Sequence, residues 1–288
     1  MIEKPLFNNA AIFGVGLIGG SIARVLKNRG LAKRVVGVGR TQTNLKAALD
    51  LGIIDAALSA SEAAKEADFI VLCSPVLSII PTLEAIAPHI KKGALVTDGG
   101  STKKDIVEQG ERIAAGHFVF IGSHPVAGTE KSGAVSSFET LFDNHVCIIT
   151  PTPHTPVEPL EKLTAFWRTA GMRTVQMDPA RHDTVMGAVS HLPHLVAYAL
   201  VSTVSQLDEG EKLLDFAAGG FKDTTRIASS PPDMWADIAL ANKSEMLKMS
   251  AAVRENLAAI ESAIQSGDRE ALMRMFQRAN EFRGRLKA

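Results

Sequence analysis

The first half of the chain alternates short apolar runs, rich in Val, Ile and Phe, with segments of helical periodicity. The apolar runs predict strands at 10–16, 34–39, 68–74, 94–100, 118–124, 146–150 and 173–177, and the periodic segments predict helices at, for example, 18–29, 78–87 and 102–114. Strands that are apolar on both faces and separated by helices are typical of a buried, mostly parallel sheet. This half is therefore predicted to have an α/β fold.

The pattern changes at Asp178. From that residue to Ala288 the periodicity predicts helices only, joined by loops at 217–226 and 228–235. Asp178 has the side chain of an N-cap, and Pro179 suits the first helical position because its missing N–H would have no partner there.

Two domains follow from this change of pattern. The proline-rich segment 150–159 precedes another predicted helix and strand, so we interpret it as a loop inside the first domain. We expect an α/β domain at 1–177 and an all-α domain at 178–288.

Composition narrows the functional classes. The 288 residues include 31 basic and 31 acidic side chains, a balance that gives no reason to expect a nucleic-acid-binding surface. Cys73 and Cys147 both lie in apolar runs and are expected as core residues, not as a disulfide or metal site. Residues 1–14 lack the layout of a signal peptide, and no uninterrupted apolar stretch has the length of a membrane span, so we expect a cytoplasmic protein.

A glycine loop follows the first predicted strand and leads into a helix. Gly14, Gly16 and Gly19 have the G-x-G-x-x-G spacing, which in this context indicates a Rossmann-type dinucleotide site rather than a turn without a ligand. The helix N-terminus would offer N–H donors and a positive dipole to the phosphates. The residues expected to contact the cofactor here are Gly14, Gly16, Leu17, Ile18, Gly19 and, at the end of the predicted strand 68–74, Ser74.

The choice between NAD and NADP is normally made at the end of the second strand, where an acidic side chain binds the ribose 2′-hydroxyl of NAD. Gly39 stands at that position and Arg40 follows it. An arginine at this point suits a 2′-phosphate, although it is equally compatible with an exposed loop. We expect NAD or NADP, with a slight preference for NADP.

The segment "IGSHPVAGTEKSG" (121–133) raises the possibility of a second site. His124 follows a predicted strand, and Pro125 favours extended backbone at the residue before it. The segment taken alone is equally compatible with a surface loop that contains an incidental histidine. The rest of the chain has to decide between these interpretations.

Six motifs, taken together, resemble the prephenate/arogenate dehydrogenases of tyrosine biosynthesis, and the similarity covers nearly the whole chain. They lie at 14–23, 72–76, 97–103, 122–133, 188–200 and 219–235. The resemblance implies oxidation of a 4-hydroxycyclohexadienyl acid, with loss of carbon dioxide as the ring becomes aromatic. It also implies a Rossmann-type domain followed by an all-α dimerisation domain.

The resemblance assigns His124 as the base that accepts the proton of the ring hydroxyl, a role that suits the pKa of histidine. Pro125 and the flanking glycines would stiffen a loop that presents the imidazole at the carboxyl end of a strand. Ser101 would bond the same hydroxyl, and could also be the N-cap of the helix predicted from residue 102. Thr129 and Glu130 correspond to positions near the substrate side chain, although Glu130 is equally compatible with a solvated loop carboxylate.

Two histidines lie one turn apart on a predicted helix that contains Pro193. The proline removes an N–H and clashes with the carbonyl of Val189, which predicts a kink. His191 and His194 have no nearby Cys, Asp or Glu that would complete a metal site, so no metal is expected. The resemblance places His194 in the substrate pocket and His191 in a supporting role.

Arg226 would bind a carboxylate of the substrate, because a planar guanidinium suits bidentate carboxylate binding. An ion pair with Asp223 on the same turn is the alternative interpretation. The resemblance adds Gly219, Lys222 and Trp235 as residues of the substrate pocket or, for Lys222 and Trp235, of a dimer interface.

Two other classes of function remain as alternatives. Another two-domain NAD(P) oxidoreductase, of the β-hydroxyacid dehydrogenase or pyrroline-carboxylate reductase type, shares the glycine loop and the order of domains. It does not account for the segments at 123–130 and 190–194 together. A regulator that senses a dinucleotide without turnover is disfavoured by the presence of His124, Ser101 and Arg226.

The helical half is expected to form a homodimer. Residues 194–204 are apolar nearly all round, and residues 246–264 carry an apolar stripe of Met, Leu and Ile. A small helical domain cannot hide so many apolar faces, and a second copy related by a two-fold axis would cover them.

Overall fold

The computed structural model describes residues 4–129 and 131–286. Contacts divide the chain into two compact units, Met1–Asn242 and Lys243–Ala288. The first unit holds a mostly parallel sheet, its flanking helices and a further group of helices, and the second unit is helical. The predicted succession of an α/β half and a helical half is confirmed.

Within the described residues, eight strands form one sheet in the order β3-β2-β1-β4-β5-β6-β7-β8. The strands are β1 Phe7–Phe13, β2 Ala32–Val38, β3 Ala56–Ala57, β4 Phe69–Leu72, β5 Leu95–Asp98, β6 Val119–Val126, β7 Val146–Thr150 and β8 Arg173–Gln176. Neighbours are parallel except β6 and β7, which are antiparallel. The order of the first six strands is that of a Rossmann-type sheet.

The apolar runs predicted every strand except β3, whose two alanines carry no β-branched or aromatic signal. β6 extends past the predicted end at residue 124 because it changes partner. It pairs with β5 as far as Ile121 and with β7 from Gly122 onward. This extension carries β6 beyond the carboxyl end of β5.

Helices cover the sheet and then make up the remainder of the chain. They are α1 Leu17–Asn28, α2 Gln42–Asp50, α3 Ala60–Glu66, α4 Ile79–Ile86, α5 Lys104–Ala114, α6 Val157–Thr169, α7 Pro179–Met186, α8 Leu192–Ser205, α9 Gly210–Leu213, α10 Gly219–Thr225, α11 Pro232–Ala241, α12 Lys243–Gln265 and α13 Arg269–Arg283. The prediction that Ser101 is the N-cap of α5 was wrong, because that helix begins at Lys104 and its N-cap position is Lys103.

The sheet is packed on both faces. On one face the rings of Phe7 and Phe69 stack with centroids 4.0 Å apart, and Phe166 meets Phe69 edge-on at 5.3 Å. The other face is covered by a separate apolar cluster that includes Ile70, Leu83, Ile106, Val107 and Phe120. Burial on both faces explains why the strands could be recognised as continuous apolar runs.

The turn after β1 packs closely because two of its positions lack a side chain. Gly14 has a φ of +93°, and a Cβ atom there would lie 2.7 Å from the carbonyl oxygen of Cys73. A Cβ atom on Gly19 would lie 2.1 Å from the carbonyl oxygen of Gly14. The loop and the first turn of α1 therefore meet at a distance that only glycine allows.

Asp178 and Pro179 begin α7 as predicted. The Asp178 carboxylate accepts hydrogen bonds from the amides of Ala180 (2.9 Å) and Arg181 (3.0 Å). The predicted distortion near Pro193 takes the form of a π-helical turn at Gly187–His191, directly before α8.

The segments predicted as loops at 217–226 and 228–235 are largely helical, so that prediction was wrong. α10 begins at Gly219, and α11 begins at Pro232. The glycine and the proline stand at the first positions of short helices instead of between helices, and proline is common there.

By length and composition alone, the helical run Pro179–Ser205 is long and apolar enough to cross a membrane. Its mean hydropathy is 1.4 over 18 residues. The run reaches this length because α7, the π-helical turn and α8 join without a break, although polar side chains interrupt it. The core helix of a soluble protein meets the same criterion. The run also carries the buried polar residues His182, Asp183 and His191.

The second unit consists of α12 and α13. The Asp268 carboxylate caps α13 by accepting the amide of Ala271 at 2.9 Å, and Gly267 in the turn has a φ of +65°. Several large apolar side chains of this unit are exposed, among them Leu247, Leu257, Ile264, Phe276 and Phe282.

Gly19→Ala is expected to destabilise the fold. The new Cβ atom would meet a backbone oxygen, which cannot move aside as a side chain can, and overpacking of this kind costs about 1–3 kcal/mol or more. Chemical denaturation should show the loss. Gly16→Ala is the matched control, since a Cβ atom at Gly16 has no neighbour within 4 Å. Its loss should stay within about 1 kcal/mol, the scale of a weakened N-cap. Equal stability of the two variants would contradict the packing described for Gly19.

Candidate active site

His124 lies in β6 beyond the point at which β5 ends. Its backbone pairs with Ile148 of β7, at the end of the strand predicted at 118–124, and that strand continues to Val126 instead of giving way to a loop. β6 continues beyond β5 because β7 supplies a new antiparallel partner once β5 stops. Pro125 is tolerated in the strand because β5 no longer pairs there and requires no N–H from it.

A chain of hydrogen bonds leads away from His124 into the protein. His124 Nδ1 lies 2.9 Å from His182 Nε2, and His182 Nδ1 lies 2.8 Å from Asp183 Oδ1. All three side chains are buried, and both His182 and Asp183 come from α7. The candidate base is thus in contact with a second histidine and, through it, with a carboxylate.

Asp183 is held in turn by the amino end of α5. Its Oδ1 accepts the amide of Lys103 at 2.7 Å, and its Oδ2 accepts the amide of Lys104 at 3.0 Å. Burial opposes ionisation, but the hydrogen bonds from His182, Lys104 and Lys103 hold the pKa of the Asp183 carboxyl below its usual value. The carboxylate therefore satisfies helix amides that have no partner within α5.

His124 and His182 are both neutral at physiological pH. Burial lowers the pKa of His124 well below the usual 6.5, and neighbouring His182, Lys103 and His191 act in the same direction. Burial also lowers the pKa of His182, despite its hydrogen bond to Asp183. An unprotonated His124 is the form that a general base requires.

A buried ion pair fixes the ends of β5 and β6. Lys103 Nζ donates to Asp98 Oδ2, and neither side chain is exposed. The same carboxylate accepts the amides of Gly100 (2.8 Å) and Ser123 (3.3 Å). Because Ser123 precedes His124, these contacts fix the backbone from which His124 projects.

His191 lies beside the same network. Asn242 Nδ2 donates to His191 Nδ1 at 3.2 Å and to the backbone oxygen of Asp183 at 2.9 Å. Burial lowers the pKa of His191 to about 4, against opposing contributions from Asp183 and from the backbone of Ser101. Ser101, half-buried in the turn before α5, therefore lies next to His191.

His194, Trp235 and Arg226 form an adjoining group. The His194 ring stacks on the Trp235 indole with centroids 3.4 Å apart, and its Nδ1 donates to the carbonyl oxygen of Ser190 at 2.9 Å. Burial lowers the pKa of His194, and the positive charge of Arg226 contributes to the shift. Trp235 also meets His191 edge-on at 6.1 Å, which connects this group to the histidine network.

The glycine loop has the properties of a dinucleotide-binding site. α1 has no side-chain cap, so the amides of Leu17, Ile18 and Gly19 are the donors that a helix leaves unpaired in its first turn. Space is open at Gly16, where a Cβ atom would have no neighbour within 4 Å. Ser74 Oγ is buried and has no hydrogen-bond partner among residues 4–129 and 131–286. Open space, free amides and an unpaired hydroxyl fit a phosphate-bearing ligand.

The glycine loop and His124 lie close together. A Cβ atom on Gly99 would lie 3.7 Å from Ile18 Cγ2 and 4.0 Å from Pro125 Cγ, so both elements border the same residue. The start of α1 and the strand that carries His124 therefore meet at Gly99.

Gly39 and Arg40 follow β2 directly, as the prediction about the second strand required. Both are exposed, and α2 begins shortly afterwards. Asn44 on α2 joins two neighbouring segments: its Nδ2 donates to the Val15 carbonyl at 2.7 Å, and its Oδ1 accepts the Ala134 amide at 2.8 Å.

The remaining predicted residues lie at the surface. Thr129 is exposed and its Oγ1 accepts the amide of Lys131 at 3.3 Å. Gly219 and Lys222 are exposed on α10, directly before Arg226. Glu130 lies outside the described residues.

Several residues that form hydrogen bonds in and around the candidate site were not selected from the sequence: Asn44, Asp98, Lys103, His182, Asp183 and Asn242. Asp98 and Lys103 lie within a motif that was recognised, but their pairing is not visible in the spacing. The adjacent pair His182-Asp183 was a usable signal, because ionisable residues in the largely apolar helical run Pro179–Ser205 need partners.

Comparisons with known proteins identify the family of the chain. Residues 22–176 match the model described as "Prephenate dehydrogenase, nucleotide-binding domain", and residues 178–278 match "Prephenate dehydrogenase, dimerization domain". The chain is 38% identical over 274 residues to the prephenate dehydrogenase of Bacillus subtilis (strain 168), covering 94% of this chain and 74% of that protein. It is 33% identical over 288 residues to the cyclohexadienyl dehydrogenase of Zymomonas mobilis, covering 98% and 97%.

A solved structure is similar over the same extent. The crystal structure of prephenate dehydrogenase from A. aeolicus in complex with hydroxyphenyl propionate and NAD+ has a TM-score of 0.90 and 35% identity, with 97% of this chain and 98% of that chain covered. Both domain models and near-complete relatives thus lead to one family. The chain belongs to the prephenate dehydrogenase family.

Proposed function

We propose that the chain catalyses the NAD(P)-dependent oxidative decarboxylation of prephenate, arogenate or both, in the cytoplasm. The observation that carries this proposal is a buried, neutral His124 close to a dinucleotide-binding loop, in a member of this family. A bound nicotinamide supplies the hydride acceptor. The chain's own residues bind the two molecules, orient them and accept a proton.

His124 Nε2 accepts the proton of the ring hydroxyl. Its Nδ1 is already engaged with His182, which leaves Nε2 for the substrate. Loss of the hydroxyl proton favours departure of hydride from the same carbon, and loss of carbon dioxide then completes the aromatic ring. Ser101, in the neighbouring turn, bonds the same hydroxyl and directs it toward His124.

The substrate is held by the group around Arg226. The guanidinium binds a carboxylate of the substrate, while His194 and Trp235 form a rigid stacked wall beside it. Contacts to the remainder of the substrate are assigned to Thr129, Glu130, Gly219 and Lys222.

The cofactor lies on the glycine loop. The amides of Leu17, Ile18 and Gly19 bind the pyrophosphate, Gly14 and Gly16 leave room for it, and Ser74 supplies a hydroxyl donor. Arg40, exposed directly after β2, would lie beside the adenosine ribose and favour a 2′-phosphate, which would give NADP a slight preference over NAD.

The helical part forms the interface of a homodimer. Val189, Phe216 and Leu240 in the first unit are more than half exposed, as are Leu247 and Phe282 in the second. Apolar side chains exposed together on a surface mark a site of protein–protein contact. The match of residues 178–278 to a dimerization domain supports the same proposal.

The alternative, a β-hydroxyacid dehydrogenase or pyrroline-carboxylate reductase type of enzyme, is not favoured. The β-hydroxyacid dehydrogenase type would be expected to use a lysine of its helical half as acid or base, and neither type accounts for the histidine chain behind His124. Assays with prephenate and arogenate, each with NAD and NADP, are the test of the proposed activity.

His124→Asn is expected to lower kcat by about 10²- to 10⁴-fold while substrate binding persists, because a positioned base contributes a rate factor of that size. In the wild type, the acid limb of kcat/KM should lie below pH 6.5, since the pKa of His124 is lowered and protonation inactivates the base. Steady-state rates across pH provide both measurements. Near-normal turnover by the variant would exclude His124 as the base.

Gly39→Asp is expected to shift the kcat/KM ratio toward NAD. The new carboxylate offers the 2′-hydroxyl an acceptor and repels a 2′-phosphate, and a charged hydrogen bond of about 1.5–3 kcal/mol corresponds to tenfold or more. A Cβ atom at this position lies 3.3 Å from the end of the Leu45 side chain, which can move aside. Gly39→Ala controls for the added bulk. An unchanged ratio in the Asp variant would contradict the proposed position of the ribose.

Light scattering at low micromolar concentration should give twice the 30.7 kDa of one chain. The interface is expected to bury about 2,000 Å² or more, as obligate dimers do. A stable, active species of 30.7 kDa would overturn the proposed dimer.

A further inference from the structure

The proposed function uses His124 but gives no role to the two buried residues behind it. His182 is 0% exposed and Asp183 is 5% exposed, and both lie in an apolar helical run where polar side chains are costly unless paired. Two successive hydrogen bonds connect them to His124 Nδ1, the ring nitrogen opposite to the one that would face the substrate.

The direction of each hydrogen bond follows from Asp183. An ionised carboxylate can only accept, and Asp183 does so from the amides of Lys103 and Lys104. The His182 nitrogen that faces this carboxylate, Nδ1, must therefore carry a proton and donate it. A neutral imidazole has one N–H, so His182 Nε2 is left as an acceptor.

The same reasoning applies one step further along. His182 Nε2 accepts, so His124 Nδ1 must be the donor in the contact of 2.9 Å between them. His124 then carries its proton on Nδ1 and its lone pair on Nε2, which is the atom a base uses. The opposite tautomer would place two lone pairs against each other.

We propose that Asp183 and His182 are positioning residues that fix His124 in the tautomer with the proton on Nδ1 and the lone pair on Nε2. This inference rests on the proposed function of His124. In the reaction, the O–H bond of the substrate breaks and a new N–H bond forms at His124 Nε2. The protons of the His124–His182–Asp183 chain stay on their nitrogens, and the negative charge of Asp183 stabilises the imidazolium that results.

Other charged or titratable groups around this chain do not set the tautomer. Lys103 and His191 contribute to the electrostatic environment of His124, Lys103 and Asp98 contribute to that of His182, and Cys147 accepts a hydrogen bond from the His124 backbone. The described contacts include no hydrogen bond from any of their side chains to a ring nitrogen of His124. The chain through His182 is therefore the contact that distinguishes one nitrogen of His124 from the other.

The first test is spectroscopic and needs no turnover. In protein labelled with ¹⁵N-histidine, imidazole nitrogen shifts distinguish a protonated from an unprotonated nitrogen. The signals of His124, one of 8 histidines, are identified by their loss in His124→Asn. We expect the Nδ1–H tautomer in the wild type and a mixture of tautomers in His182→Phe, which keeps a ring of similar shape but offers no acceptor.

The second test is kinetic. His182→Phe should lower kcat by about tenfold to a hundredfold, within the contribution of a positioned base, and should leave KM nearly unchanged. His182→Gln should recover most of the rate, because its amide can donate to Asp183 and accept from His124. Thr97→Val is the matched control: it removes a buried hydrogen bond to Ser123 (3.0 Å) beside His124 without touching the chain, and its kcat should stay close to that of the wild type.

Asp183→Asn would place an amide group where the carboxylate now accepts three hydrogen bonds. The folding of this variant therefore has to be checked by thermal denaturation. If it does not fold, the His182 variants provide the test. The proposal is overturned if His182→Phe keeps the Nδ1–H tautomer, or if it keeps wild-type kcat. A wild-type His124 found with its proton on Nε2 would overturn it as well. Failure of the proposed function would give a different result. His124→Asn would stay active, while the tautomer of His124 would still change in His182→Phe.

Discussion

The carboxylate of Asp183 is the contact on which the arrangement of the site depends. It accepts the amides that begin α5 and the ring nitrogen of His182, so a single side chain orients a helix of the α/β half and the imidazole behind His124. The residues it joins lie 80 positions apart in the chain. α7 belongs, together with the sheet, to the compact unit that ends at Asn242. The predicted boundary near residue 177 stays a prediction.

Lys103 connects the two buried carboxylates of the site. Its backbone amide donates to Asp183 and its side chain donates to Asp98. A fully buried ion pair contributes little net stability, because removing both charges from water offsets their attraction. Its effect here is on geometry and charge: it joins the turn before α5 to the end of β5 and keeps a positive charge near His124, which contributes to the lowered pKa of that histidine.

Sequence patterns were sufficient to predict the elements that depend on neighbouring residues alone. Buried strands read as apolar runs, the glycine loop has a fixed spacing, and Asp178-Pro179 is a local helix start. The patterns failed where a distant partner decides the outcome. β6 extends because β7 reaches it, and α5 begins late because Asp183 caps it from outside. The relation of His182 to His124 was invisible for the same reason, since nothing in the spacing of the two residues shows that they touch.

The stacking of His194 on Trp235 has an optical consequence. The chain has two tryptophans, and Trp167 is sealed in the aromatic core between Phe142 and Phe166. The ring centroids of Trp235 and His194 lie 3.4 Å apart. An imidazole in such contact with an indole quenches its emission by accepting an electron, and a protonated imidazole does so more strongly. Trp167 therefore supplies a constant background, while the emission of Trp235 follows the protonation and position of His194. The fold carries its own fluorescent probe beside the residues proposed to hold the substrate.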